Sequence, residues 1–234
     1  MKKLTPVFLE LKNHAPFTLF GASTGILCML IFRNLDSHTN LRLFQIFHPT
    51  HVVLSAMVTS SLFLIYKKKT SLLTLFIVGY FGSIGIATLS DSVLPFFGET
   101  IFGVAVPTHE AQHESRVTDE NDPEPATTHE HDGHGLHLGF IEEWYIVNPA
   151  AFLGIFIAYF MSSTKFPHAG HVLISTWASS FHVLMNTQRE MTALMLAGFF
   201  VVLFIAVWLP CCISDIVFPM LFINSDDFKP LHHH

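Results

Sequence analysis

The chain has 234 residues; half are apolar and only 13% are charged, about half the charged share of a soluble domain. Twelve Lys and Arg against 18 Asp and Glu argue against a nucleic-acid binder, and three cysteines (Cys28, Cys211, Cys212) are too few for a disulfide framework. With a mean hydropathy of +0.47, the composition points to an all-α, polytopic membrane protein whose first partner is the lipid bilayer.

Sixteen histidines stand out; residues 232–234 are read as a tag remnant, which leaves thirteen. Lys2 and Lys3 precede the first apolar run, but no small-residue cleavage site follows, so no cleavable signal peptide is expected.

Six apolar stretches lie near 16–33, 48–66, 71–97, 144–163, 168–186 and 192–222, each about long enough to cross a bilayer core as a helix. The spans at 48–66 and 168–186 begin with polar residues and are weaker by hydropathy. Pro210 is expected to break the last one. The side holding the N-terminus carries Lys2, Lys3, Lys12, Lys67–Lys69, Lys165 and Lys229; the other side carries Arg33, Arg42 and Arg189. The positive-inside rule then places both termini in the cytoplasm of a multi-pass protein of the cell (inner) membrane.

The segment 98–142 falls outside the cytoplasm, and it is acidic and His-rich. His109, His113, His129, His131, His134 and His137 suit it to weak metal capture, because imidazoles and carboxylates bind borderline divalent ions. A merely solvated acidic loop is the alternative.

An internal duplication is the most informative feature. HPTHVVLSAMVTSSLFLI at 48–65 matches HAGHVLISTWASSFHVLM at 168–185, and SDSVLPFF at 90–97 matches SDIVFPML at 214–221. Pro16 and Gly21 find echoes in Pro149 and Gly154. Each unit holds three spans, 1–97 and 143–231, and an odd number of crossings inverts the second unit. The expected architecture is therefore six transmembrane helices in two inverted three-helix repeats, a design that recurs among secondary transporters.

The repeated residues carry the chemistry. His48 and His51 lie on one helical face with Ser55 a turn further, and His168, His171 and Ser175 repeat this. Asp91 and Asp215 sit in apolar spans, where a carboxylate is costly unless paired, protonated or metal-bound. Two His and one carboxylate are a common ligand set for Zn²⁺, with Fe²⁺, Mn²⁺ and Ni²⁺ as alternatives. The expected sites are His48, His51 and Asp91 towards the outside and His168, His171 and Asp215 towards the inside, roughly 18 Å apart by helical rise unless tilt brings them together. Ser55 and Ser175 are auxiliary ligands or second-sphere partners. His182, whose repeat counterpart is Leu62, is an asymmetric auxiliary group, and Cys211 shares a face with Asp215. The structural alternatives are helix-capping or interfacial His, a metal-free Asp/His proton relay, and Cys211 as an inert apolar residue.

No phosphate-binding loop, HExxH or GxSxG is present, so no enzyme class is indicated. The leading expectation is a carrier or channel for a divalent metal cation, zinc foremost, with proton coupling through competition for the same ligands. An intramembrane metal-dependent hydrolase acting on a lipid is the alternative, and a non-catalytic metal-binding membrane subunit is the third reading. A homo-oligomer is compatible with each.

Overall fold

The computed structural model describes residues 4–67, 70–103, 141, 143–161, 165–187, 191–214, 218 and 222; within these, the side chains of 4–11, 13, 14, 165–168 and 212 stay undescribed. The six loop histidines His109–His137, Asp215 and Glu142 lie outside the described residues, as does the side chain of His168.

All described regular structure is helical. The elements are α1 (Leu4–Phe32), α2 (Ser37–Tyr66), α3 (Leu72–Thr88), a π turn (Leu89–Val93), α4 (Leu94–Ile101), α5 (Trp144–Phe160), α6 (Lys165–Asn186) and α7 (Ala193–Cys212). Among the described residues, four segments are long and apolar enough to cross a membrane: Ala15–Phe32, Ser37–Tyr66, Leu72–Ile101 and Ala193–Cys211. Helix α5 is apolar but shorter, at 17 residues. The molecule is therefore compatible with a helical membrane protein.

Helix starts follow capping chemistry. Asp36 accepts from the Thr39 amide at 2.9 Å, Ser71 from Thr74 at 3.1 Å and Thr192 from Met195 at 3.2 Å, each satisfying an amide that has no intrahelical partner. The Asp36 cap starts α2 eleven residues before the apolar stretch at 48, and the midpoint of Ser37–Tyr66 falls beside His51. The helix also continues through Pro210, contrary to the expected break: α7 runs to Cys212, and Ile213 and Ser214 continue it as π turn.

Polarity runs inside out relative to a soluble domain. Phe17, Phe20, Phe81 and Phe156 are each more than half exposed. Buried instead are His48, His51, Ser55, Thr59 and Ser60 of α2, and His171, Ser175, Thr176, Ser179, Ser180 and His182 of α6. Spending their polar residues on the interior is what weakens the hydropathy of these two helices.

Helices α2 and α6 pack on each other at the centre; α5 and α3 cover α2, and α1 and α7 cover α6. Small residues permit close approach, as is usual where lipid supplies no hydrophobic drive between helices. A Cβ on Gly154 of α5 would collide with the Val53 carbonyl oxygen and the Ala56 methyl of α2. A Cβ on Gly21 of α1 would stand 3.2 Å from the Thr176 methyl of α6.

Candidate metal centre

Asp91 sits in the π turn, and the local sequence explains why. Pro95 has no N–H, so the Asp91 carbonyl loses its regular helical donor. The ladder widens instead, with the Leu94 amide donating five residues back to the Leu89 carbonyl. Ser90, Asp91 and Ser92 are all turned inward and buried. Such π turns often mark functional positions.

Four side chains satisfy the Asp91 carboxylate. Oδ2 meets His51 Nδ1 at 2.7 Å and His48 Nδ1 at 3.0 Å. Oδ1 accepts from the Ser90 hydroxyl and from the Ser175 hydroxyl, each at 2.8 Å. A hydrogen bond to a charged group is worth about 1.5–3 kcal/mol, and an unpartnered buried carboxylate would not persist. A carboxylate offers only lone pairs, so each imidazole presents Nδ1–H to it and turns its Nε2 elsewhere. Both Nε2 atoms are buried without a hydrogen-bond partner among the described residues. A carboxylate behind an imidazole is the usual support for a metal-binding histidine, fixing its tautomer and raising its basicity.

The His51 ring lies parallel to the His171 ring, with centroids 5.7 Å apart and planes within 1°. Cys211 completes a buried trio: one ligand atom from each of His51, His171 and Cys211 lies within 4.8 Å of the others. A tetrahedral zinc ion needs such atoms roughly 3.3–3.6 Å apart, given about 2.0 Å to nitrogen and 2.3 Å to sulfur. A closure of about 1 Å, within reach of small side-chain rotations, would bring the trio onto an ion and leave a fourth position open.

The grouping therefore cuts across the two halves of the sequence. His48, His51 and Asp91 come together, but Ser175, expected beside His171 and Asp215, donates to Asp91. His171 stands against His51 rather than roughly 18 Å away, because α2 begins before its apolar stretch and carries His51 to its centre. Ser55 is buried one turn beyond His51. His168 is placed on α6.

His182 belongs to a separate cluster that the sequence reading missed. Its Nδ1 meets Glu99 Oε1 at 3.0 Å, and the Asn186 amide donates to Glu99 Oε2 at 2.9 Å. Glu99 had been assigned to the loop at 98–142, but the helix runs on to Ile101 and buries it completely. Its spacing of eight residues from Asp91, about two turns, was the available signal.

Further contacts join the halves, among them Ser179 donating to the Ser90 carbonyl at 3.0 Å and the Thr59 and Ser214 hydroxyls meeting at 2.9 Å. Comparison with protein-family models, curated proteins and solved structures returns no match.

Proposed function

We propose that the chain is a membrane transporter for a divalent metal cation, zinc foremost, built as six spans in two inverted three-helix repeats. The observation that carries this reading is the convergence of His51, His171 and Cys211, with Asp91 behind His51, where α2 meets α6. Sites at a repeat interface near the membrane centre are typical of inverted-repeat transporters.

The packing supports the repeat. Offsets of 120 to 133 residues equate α1 with α5, α2 with α6, and α3 with α7. Contacts then occur in exchanged pairs: α1 on α6 with α5 on α2, and α1 on α7 with α5 on α3. Gly21 against Thr176 corresponds to Gly154 against Ala56, and Ser179–Ser90 corresponds to Thr59–Ser214. Ser214, the first residue of the second SDxVxP motif, is π-helical like Ser90, the first residue of the other.

A pseudo-two-fold axis between His51 and His171 makes the bound ion the pivot about which one repeat rocks on the other. Two nitrogens and one sulfur suit a borderline ion, and three ligands rather than four allow it to leave. Affinity order alone would favour copper over zinc, so zinc selection rests on geometry and supply. In this account the termini are cytoplasmic and the His-rich loop gathers ions outside. Zinc uptake into proteoliposomes carrying an encapsulated fluorescent chelator tests the reading. Uptake should exceed that of protein-free vesicles and be lost in His51→Ala and in His171→Ala; wild-type uptake no faster than that of empty vesicles rejects it.

One observation favours a second reading, a metal-dependent lipid hydrolase. An apolar groove of about 570 Å³ between α1 and α6, lined by Pro16, Phe20, Gly170 and Leu173, runs beside the helix that carries His171. Its size and lining suit an acyl chain. Cys211 corresponds to Ala87 in the first repeat, so the trio occurs once, as an enzyme would require. Zinc-dependent release of fatty acid without zinc flux would select this reading.

A further inference from the structure

The buried cluster at the far end of α6 takes no part in the centre described above. Glu99, His182 and Asn186 are all buried, the first two with no exposed surface. Ionisable groups inside a membrane protein are costly and mark ion or proton pathways. Helical rise puts His182 about 16 Å along α6 from His171, too far to share an ion with it.

The hydrogen bonds suit a carboxylate paired with an imidazole. Glu99 accepts from Asn186 on one oxygen and from His182 Nδ1–H on the other. A carboxylate beside a neutral imidazole carries one net negative charge. The His182 Nε2 lone pair is buried with no hydrogen-bond partner among the described residues. One proton added at Nε2 converts the pair into a carboxylate–imidazolium pair with no net charge, the form that a low-dielectric interior favours.

The surroundings leave this pair electrically distinct. From α2, the Phe44 ring is edge-on to His182 at 5.5 Å and stacks on His48 at 5.2 Å, separating the two imidazoles. Beyond His48 lies Asp91 of the π turn. From α1, Cys28 belongs to the same core. Helix α7 has no charged residue along its length, and Cys211 is at its opposite end, beside the metal centre. Among the described residues Glu99 is therefore the charge that His182 faces. Glu99 is two residues from the end of α4, the helix end nearest the cluster.

We propose that Glu99, His182 and Asn186 form a protonation site, separate from the metal centre, that takes one proton from the side at which α4 ends and couples it to metal translocation. This rests on the transport reading above. Protonation removes a negative charge from one end of the central helix pair, so the conformation open to that side holds a divalent cation less firmly. Neither Leu62 nor Ile223 can supply the equivalent charge in the other repeat, which gives the coupling a direction.

The test uses the full chain in proteoliposomes with zinc as the only probe ion, with and without a pH gradient. Glu99→Gln and His182→Gln should bind as much zinc as wild type and lose the effect of the gradient on flux. Loss of zinc binding in both variants would make the cluster part of the metal site and overturn the proposal, as would flux that still follows the gradient. A second measurement does not depend on flux. In the chain labelled with ¹⁵N-histidine, the Nε2 resonance absent from His182→Gln should move to its protonated position as pH falls, and Glu99→Gln should abolish that titration. A His182 resonance indifferent to Glu99 overturns the protonation site even if zinc is transported. Absent zinc flux with an intact His182 titration rejects the transporter and the coupling while retaining the protonation site.

Discussion

The imidazoles of His51 and His171 lie face to face, 5.7 Å between centroids and parallel within 1°, though 120 residues separate them in the chain. Each occupies the same place in a matched HxxHVxxS motif. Their meeting makes one centre from two halves of the sequence, and the consequences below follow from it.

In the proposed centre Asp91 would act through His51 rather than on the ion. Asp91→Asn preserves shape but replaces one lone-pair oxygen with an N–H₂ group that cannot accept from an imidazole. Zinc affinity should fall about 10–100-fold, the usual effect of losing such support. Ser175→Ala removes one of the four hydrogen bonds to Asp91 and should have a smaller effect in the same direction. Competition with a zinc chelator measures both; an unchanged affinity in Asp91→Asn would show that His51 needs no support.

Two pH effects should separate cleanly. At the centre, protons compete with metal for the imidazole nitrogens, so zinc affinity should rise with pH through the histidine range. At the start of α2, the Thr39 hydroxyl and amide hold the Asp36 carboxyl below its ordinary value. A lowered folded value contributes stability that is present above the unfolded value and is lost as pH falls through the folded one. The protection factor against hydrogen exchange at the first turn of α2, which cancels the intrinsic pH dependence of exchange, should therefore fall only at acid pH, and Asp36→Asn, a neutral cap, should remove that fall. A protection factor that is flat with pH in the wild type would contradict the cap.

The two matched glycines should differ in tolerance. Gly154→Ala drives a methyl into the Val53 carbonyl and Ala56, where backbone must move, and should cost about 1–3 kcal/mol. Gly21→Ala meets the Thr176 side chain at 3.2 Å and should cost less. Thermal unfolding in detergent compares them; equal melting temperatures would mean that α5 does not approach α2 so closely.

The helical class and the grouping of His48 and His51 with Asp91 were legible because both depend on local signals: apolar runs of spanning length, and His and Asp set within them in matched motifs. Positions along the helices were not. Ser37, Asn40, Arg42 and Gln45 lower hydropathy over the first turns of α2, so the apolar run began at 48 and His51 seemed to lie near one end. Asp36 decides the start by capping, a signal that hydropathy does not weigh. Glu99 was hidden by its own charge, since an acid after an apolar run looks like the start of a loop until His182 and Asn186 are placed beside it. The pairing of Ser175 with Asp91 depends on how α6 crosses the π turn, which no local pattern encodes.

The most direct test is X-ray absorption at the zinc edge on protein with residues 109–137 replaced by a Gly/Ser linker and the terminal histidines removed. The account predicts near-stoichiometric zinc with one sulfur at about 2.3 Å and two imidazole nitrogens at about 2.0 Å. Cys211→Ser should remove the sulfur shell, and the His51→Ala, His171→Ala double variant should remove the metal. A zinc shell of oxygens alone, or no metal after equilibration with zinc, would contradict an intramembrane centre at His51, His171 and Cys211.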